Sequence, residues 1–223
     1  MVAELAAVIF DFDGLIFDSE TPEYESHRQV FASCGVDLTL DEWCSQIGVW
    51  SQGHDEGWAD QLVVRAASAP SREDYLSEKR RIFKDVMPAE PMRGIRDLLS
   101  ALEAAGVRTA VASTSPSRWV VPSVERLGLQ AAFAAVVTGD EVKRRKPAPD
   151  VYLEAARRLG VDPAQSVALE DSGPGLTAAK AAGMKAVAIP HWLTERHDLS
   201  PADLRVAHAG ELTLERLAAL FRA

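Results

Sequence analysis

Cysteine is scarce in this sequence, with Cys34 and Cys44 as the two examples among 223 residues. They form no CxxC or Cys/His pattern, which excludes a disulfide framework and a cysteine-based zinc site. We therefore expect two reduced structural thiols in a cytoplasmic protein.

Long hydrophobic runs and a basic N-terminus are also lacking. No segment approaches the roughly 18 unbroken apolar residues of a membrane span. Residues 1–10 contain no lysine or arginine, which a secretory signal would require at its start. The sequence therefore predicts no membrane partner.

Positive charge is in the minority, because 24 Lys and Arg residues face 33 Asp and Glu residues and give a formal net charge of −9. A general nucleic-acid binder needs a basic surface to displace counterions from phosphates, so we expect no nucleic-acid partner. One small phosphate-binding pocket is still compatible with this balance. The apolar fraction of 47% excludes a disordered chain. Nothing in the sequence indicates an oligomeric state.

Short apolar runs alternate with helical patterns over most of the chain. Five runs are typical of strands buried on both faces, at residues 5–10, 107–112, 134–138, 166–169 and 185–189. Helices are predicted between them at residues 94–105, 117–127, 150–159 and 175–182. This alternation predicts an α/β fold with an open parallel sheet.

Residues 20–88 interrupt the alternation, because only helical signals occur there. Thr39 with Glu42 forms a capping-box pattern, and Pro88 marks the end of the last helical segment. We therefore expect an inserted all-α unit at 20–88, with the α/β core formed by residues 1–19 and 89–223.

Acidic pairs follow two of the predicted strands. Asp11 and Asp13 come directly after the first strand, and Glu170 and Asp171 after the fourth. Ligands of open α/β sheets bind beyond the carboxyl ends of the strands. Carboxylates gathered there raise each other's pKa unless a cation joins them, and a few oxygen ligands suit Mg²⁺. The four residues are candidates for a Mg²⁺ site, although Asp-x-Asp-Gly alone is also a common turn.

Hydroxyl groups follow the second predicted strand. Ser113, Thr114 and Ser115 stand ahead of a helix that Pro116 can start, and such a position suits an anion. A plain helix N-cap is the simpler interpretation, and it fits Ser115 better than Ser113.

Four basic residues, 143–146, follow the third predicted strand. The first three are typical of a solvated loop. Lys146 differs because Pro147 and Pro149 restrict its backbone, and Asp150 is placed to cap the next helix. A lysine held in this way can act as a point charge on phosphate.

Together these motifs resemble those of the haloacid dehalogenase (HAD) superfamily of phosphotransferases, in the group with a helical cap inserted after the first strand. Residues 11–20 resemble the first motif, Ser113 the second, 146–150 the third and 170–172 the fourth. The resemblance covers nearly the whole chain. It implies an open, Rossmann-like parallel-sheet core with an inserted all-α helical-bundle cap.

The resemblance also implies a role for each motif residue. Asp11 would be the nucleophile that attacks phosphorus, and Asp13 would protonate the leaving oxygen and then deprotonate the attacking water. Ser113 and Lys146 would hold the phosphoryl oxygens. Gly14 would allow a sharp turn and a close backbone approach.

The same resemblance implies Mg²⁺ as cofactor. Its ligands would be the Asp11 carboxylate, the Asp13 main-chain oxygen and Asp171, with Glu170 acting through water. The partner would be a small phosphorylated metabolite.

Several reactions occur in the superfamily, and Asp13 argues against two of them, because dehalogenases and phosphonatases replace this second aspartate. β-Phosphoglucomutase-like enzymes share all four motifs, but they carry a histidine where this chain has Glu23. They also carry a cap arginine after a Gly-Val pair, whereas Trp50 and Ser51 follow the Gly-Val pair of this chain. We therefore expect hydrolysis of a phosphomonoester, with a sugar phosphomutase as the alternative. A catalytically silent phosphate-binding protein is the alternative of another class.

Cap residues would choose the substrate. Glu20 and Glu23 begin the first predicted cap helix, and Trp50 and Ser51 lie in a predicted specificity loop. An acidic and hydroxyl-bearing lining suits a sugar or polyol phosphate, although Glu23 equally fits a first-turn carboxylate favoured by the helix dipole. Packing roles are expected for the other tryptophans, Trp43, Trp58, Trp119 and Trp192.

Overall fold

The computed structural model describes residues 5–44 and 54–222. The chain divides into a helical unit, Asp18–Pro88, and a core unit formed by Met1–Phe17 and Ala89–Ala223. Trp50 and Ser51 lie outside the described residues. Among the residues that are described, no helix combines the length and the apolar character needed to cross a membrane.

In the core unit, the described residues form a six-stranded parallel sheet in the order β3-β2-β1-β4-β5-β6. The strands are β1 (Ala7–Phe10), β2 (Arg108–Ala112), β3 (Ala135–Val137), β4 (Ser166–Glu170), β5 (Lys185–Ala188) and β6 (Leu204–Arg205). Phe10 at the end of β1 pairs with both Val111 and Leu169. The carboxyl ends of β1, β2 and β4 therefore meet at one edge of the sheet.

Every residue of β1 and β4 is buried, as expected for strands covered on both faces. The predicted parallel α/β sheet is confirmed, and the five predicted strands agree with the structure within two residues at each end. The sequence did not predict β6, because two residues at a sheet edge are too short to form a periodic apolar pattern.

The helical unit contains α1 (Glu20–Ser33), α2 (Leu40–Cys44), α3 (His54–Arg65) and α4 (Arg72–Val86). The predicted capping box is confirmed, because the Thr39 backbone N–H donates to Glu42 Oε2 at 2.9 Å and the Glu42 N–H donates to Thr39 Oγ1 at 3.3 Å. Trp43 and Trp58 are buried and stacked with ring centroids 5.4 Å apart, which confirms the packing role predicted for them.

The helices of the core unit are α5 (Ile95–Ala104), α6 (Ser117–Arg126), α7 (Asp150–Leu159), α8 (Gly173–Ala181) and α9 (Leu214–Ala219). The predicted range of α7 is confirmed, and α5 and α6 agree within one residue. The α8 helix begins two residues before the predicted residue 175, because the Ser172 hydroxyl accepts the Gly175 N–H and caps the helix there. The sequence analysis missed α9, although Thr213 is the type of residue that begins a helix, and it accepts the Arg216 N–H.

An ionic cluster connects three helices of the helical unit. Lys79 on α4 donates to Glu23 Oε1 at 2.5 Å and to Asp55 Oδ1 at 3.3 Å. His27 Nε2 lies 3.4 Å and 3.3 Å from the same two oxygens, and its Nδ1 is hydrogen-bonded to the Tyr75 hydroxyl. Glu23 therefore has an ionic partner within its own unit, and its contact with a substrate stays a prediction.

Replacing Lys79 by Met keeps the aliphatic side chain but removes the ammonium group between Glu23 and Asp55. Lys79 is only 7% exposed, and removing one partner of a buried ion pair costs about 3 kcal/mol or more. We expect a lower midpoint of urea unfolding for Lys79→Met. Arg81→Met is the matched control, because Arg81 forms its ion pairs on the exposed surface of the same helix and should change the midpoint little. Equal losses in the two variants would contradict the prediction.

Candidate active site

Three carboxylates meet at the carboxyl edge of β1 and β4. Asp11 follows β1, and its backbone N–H donates to the Leu169 carbonyl at 2.9 Å. Glu170 ends β4, and Asp171 follows it. One oxygen from each of these three carboxylates lies within 4.8 Å of the others, and all three residues are buried. The structure thus brings together the acidic residues that the sequence placed at separate strand ends.

Lys146 lies between two of these carboxylates. Its Nζ is 2.5 Å from Asp11 Oδ1 and 2.6 Å from Glu170 Oε1, and its side chain is 6% exposed. The Lys146–Pro147 peptide bond is cis. The preceding basic residues, 143–145, are exposed as predicted.

One predicted feature of this loop is wrong. Asp150 does not cap α7, because Pro149 holds the N-cap position and the Asp150 carboxylate accepts from Arg144 at 2.7 Å. The exposed arginine competes for the carboxylate that the sequence assigned to the helix end.

Burial and charge act in opposite directions on Asp11 and Lys146. Burial raises the pKa of Asp11 to about 7, although the Lys146 ammonium group lowers it, and the charge of Glu170 adds to the rise. Burial works against the charged form of Lys146, but the carboxylates of Asp11 and Glu170 outweigh it and raise the pKa of the lysine. The lysine is therefore held as a cation.

Tyr152 is a residue of this site that the sequence analysis missed. Its hydroxyl is hydrogen-bonded to Glu170 Oε1, and Lys146 Nζ lies 4.9 Å from the centre of its ring. Burial and the nearby carboxylate charges raise the pKa of the phenol, which therefore stays a neutral donor. The signal was a tyrosine on the apolar face of α7, since a buried phenol needs a hydrogen-bond partner.

The position of the Glu170 carboxylate depends on close packing against α8. A Cβ atom on Gly175 would lie 2.0 Å from the carboxyl carbon of Glu170. The Ser172 hydroxyl also donates to Glu170 Oε2 at 3.3 Å. The first turn of α8 thus fixes the carboxylate that Lys146 contacts.

Asp171 is anchored through its backbone. Thr194 Oγ1 donates to the Asp171 carbonyl at 2.8 Å and accepts the His191 N–H at 3.0 Å. The threonine lies beyond the last predicted strand, where the sequence showed no motif.

Asp13 has hydrogen-bond donors at both carboxylate oxygens. Ser115 Oγ donates to Oδ2 at 2.6 Å, and Ser113 Oγ lies 3.4 Å from the same oxygen. Trp119 Nε1 donates to Oδ1 at 2.8 Å. The packing role predicted for Trp119 is therefore incomplete, because its indole N–H binds a predicted site residue.

The simpler interpretation of Ser115 as a helix cap is wrong. The carboxylate at the start of α6 comes instead from Asp140, in the loop after β3. Its side chain accepts the N–H of Ser117, the first residue of α6, at 3.0 Å. Hydrogen bonds from the Thr138 hydroxyl and the Ser117 N–H lower the pKa of Asp140 to about 2. The Ser115 hydroxyl is thereby left to contact Asp13.

Backbone geometry fixes the loops that carry these residues. Gly14 has a φ of +76° and donates its N–H to the Phe17 carbonyl at 2.8 Å, which confirms the predicted sharp turn. A Cβ atom on Gly139 would lie 2.0 Å from the carbonyl oxygen of Thr114. The loop after β2 is therefore packed tightly against the loop after β3.

The charge of the cluster suits a divalent cation. Asp11, Glu170 and Asp171 are three buried acids, and Lys146 forms ion pairs with the first two. The donors are carboxylate oxygens, which Mg²⁺ prefers. The residues present therefore fit a Mg²⁺ site. Coordination by the main-chain oxygen of Asp13 stays a prediction.

Residues 8–189 match the family described as haloacid dehalogenase-like hydrolase. The chain belongs to this family. The phosphorylated carbohydrates phosphatase of Thermotoga maritima is 32% identical over 183 residues, which cover 82% of this chain and 84% of that protein. Hexitol phosphatase B of Escherichia coli (strain K12) is 30% identical over 220 residues, which cover 96% and 97%. The crystal structure of CbbY from Rhodobacter sphaeroides in complex with phosphate has a TM-score of 0.71 and 28% identity, and the match covers 98% of this chain and 100% of that one.

Membership among the haloacid dehalogenase-like hydrolases agrees with the four ordered motifs. Seven predicted site residues lie together at one sheet edge of the core unit, namely Asp11, Asp13, Ser113, Ser115, Lys146, Glu170 and Asp171. Glu20 and Glu23 belong to the helical unit, where both are buried. Their roles toward a substrate stay predictions.

Asp11 should make the stability of the metal-free protein depend on pH. Its pKa is about 7 in the folded chain and about 3.9 in an unfolded chain. Between these values the folded state holds the extra proton, so the free energy of unfolding falls as the pH rises and levels off above about 7.

In EDTA, the thermal midpoint of both proteins is compared between about pH 6 and pH 8. We expect the midpoint of the wild type to fall by roughly 3 °C more than that of Asp11→Asn, because the asparagine cannot titrate. Mg²⁺ should raise the midpoint more at the higher pH, where Asp11 is ionised. Parallel curves for the two proteins in EDTA would show that Asp11 does not titrate in this range.

Proposed function

We propose that this chain is a Mg²⁺-dependent phosphatase that hydrolyses a small phosphomonoester, a sugar or polyol phosphate, through an aspartyl-phosphate on Asp11. The observation that carries the proposal is the placement of Asp11 within 2.5 Å of a buried lysine and beside two further carboxylates. Family membership and the relatives named as phosphatases support a phosphoric monoester hydrolase.

In the first step, a carboxylate oxygen of Asp11 forms a bond to phosphorus while the bond from phosphorus to the leaving oxygen breaks. The leaving oxygen keeps the electron pair of that bond and takes a proton from Asp13. Asp13 is then a carboxylate, and the phosphoryl group is bound to Asp11.

In the second step, Asp13 takes a proton from a water molecule whose oxygen bonds to phosphorus. The bond between phosphorus and Asp11 breaks, inorganic phosphate leaves, and both aspartates return to their starting states. One carboxylic acid thus serves as acid and then as base.

Charge neutralisation is the main demand of phosphoryl transfer. Lys146 is held as a cation against Asp11 and can contact a phosphoryl oxygen, with Ser113 as a neutral donor at the same edge. Asp11, Glu170 and Asp171 would hold Mg²⁺, which supplies the additional positive charge that the phosphoryl oxygens need.

The class of substrate is supported by the relatives, which are named for phosphorylated carbohydrates and for hexitol phosphates. Acidic groups at Glu20 and Glu23 of the helical unit and the hydroxyl group of Ser51 suit the hydroxyls of a sugar or polyol. Glu23 in place of a histidine favours hydrolysis over the mutase reaction, as does Trp50-Ser51 in place of the cap arginine.

Phosphate release from p-nitrophenyl phosphate and a panel of sugar and polyol phosphates, with Mg²⁺ present, tests the proposal. We expect Asp11→Asn to lose at least about 10³-fold in kcat, because the nucleophile is removed. EDTA should abolish the wild-type activity. A wild type that releases no more phosphate than Asp11→Asn would favour the catalytically silent phosphate-binding protein.

Conversion of β-glucose 1-phosphate to the 6-phosphate separates the phosphatase from the mutase. We expect phosphate release to exceed isomerisation in the wild type. Isomerisation that outruns phosphate release would replace hydrolysis by the mutase reaction.

A further inference from the structure

Trp119 lies where it can control one oxygen of Asp13. It is the third residue of α6, and its Nε1 donates to Asp13 Oδ1 at 2.8 Å. Its ring packs against Phe17 with centroids 6.3 Å apart. The indole is therefore held by packing as well as by the hydrogen bond.

The two oxygens of Asp13 have chemically different partners. Oδ2 faces the hydroxyls of Ser115 and Ser113. A hydroxyl can rotate and act as donor or acceptor, whereas an indole N–H is a donor only. Oδ2 can therefore carry a proton and donate it to a serine oxygen, but Oδ1 must stay an acceptor for as long as the indole faces it.

We propose that Trp119 is a positioning residue that keeps Asp13 Oδ1 unprotonated and directs the transferable proton of Asp13 to Oδ2, on the side of Ser113 and Ser115. The inference rests on the proposed function, in which Asp13 protonates the leaving oxygen. Removing the indole N–H takes away the donor that keeps a proton off Oδ1.

A comparison of leaving groups tests this role in Trp119→Phe, which keeps an aromatic ring and removes the N–H. An alkoxide leaving group needs a proton, whereas p-nitrophenolate leaves readily without one. The parameter kcat/KM covers the steps up to the transfer to Asp11. We expect kcat/KM to fall about 10-fold for the sugar or polyol phosphate that the wild type hydrolyses fastest, which is the size of one lost hydrogen bond. For p-nitrophenyl phosphate, kcat/KM should change little.

A double-mutant cycle shows whether the effect passes through Asp13. In an Asp13→Ala background, Trp119→Phe should cause no further loss of kcat/KM for the sugar or polyol phosphate. Trp192→Phe is the matched control for loss of an indole N–H, since Trp192 is 46% exposed. Its ratio of kcat/KM for the sugar or polyol phosphate to kcat/KM for p-nitrophenyl phosphate should equal that of the wild type.

Should Trp119→Phe fail to fold, β-(3-benzothienyl)alanine at position 119 removes the N–H while keeping the shape of the indole.

The proposal is overturned if Trp119→Phe lowers kcat/KM equally for the two substrates. It is also overturned if Trp119→Phe causes its full loss in the Asp13→Ala background, or if Trp192→Phe changes the ratio of the two kcat/KM values as much as Trp119→Phe does. A wild type that hydrolyses p-nitrophenyl phosphate but no alkyl phosphate would also overturn it, because Asp13 would then not act as an acid. Failure of the proposed function is distinguished by the wild type alone, which would then release no more phosphate than Asp11→Asn from any substrate.

Discussion

One ammonium group, Lys146 Nζ, holds two buried carboxylates together, and the sheet edge of the core unit is built around it. Asp11 and Glu170 end up side by side because β1 and β4 are neighbours in the sheet. Two buried acids at this distance would repel one another, and burial alone disfavours their charged forms. The lysine allows both to remain in the apolar interior. Tyr152 and the first turn of α8 restrict the Glu170 side, so that the lysine meets a carboxylate with little freedom to move.

The carboxylate of Asp13 has different surroundings from that of Asp11, although the two residues are only two positions apart. It accepts hydrogen bonds from three neutral groups, the hydroxyls of Ser113 and Ser115 and the indole of Trp119. The Asp11 carboxylate is buried beside a fixed cation, whereas the half-buried Asp13 carboxylate accepts hydrogen bonds from neutral groups. The two carboxylates therefore differ in chemical character. Pairs of acids in unlike environments are the usual basis for dividing the roles of nucleophile and proton carrier.

Apolar runs predicted the sheet, because strands buried on both faces have few alternatives, and the acidic residues at their ends predicted where a site would form. Lys146 was recognised from the prolines beside it. Trp119 and Tyr152 were not, because each combines a large apolar ring with a single polar atom, and periodicity along a helix reports the ring. Thr194 and Ser115 were missed or misread for another reason: a hydroxyl can serve a cap, a turn or a distant carboxylate, and the chain packing alone selects among them.

Pairing of β1 with both β2 and β4 also has a consequence for how the protein is made. Asp11 leaves the ribosome 135 residues before Lys146, and Glu170 follows later still. Contacts between such distant parts of a chain form late in folding. While the residues between Asp11 and Glu170 are synthesised, the chain therefore carries an ordinary, solvated aspartate at position 11. The charge environment of the site forms only after the fourth strand has been translated.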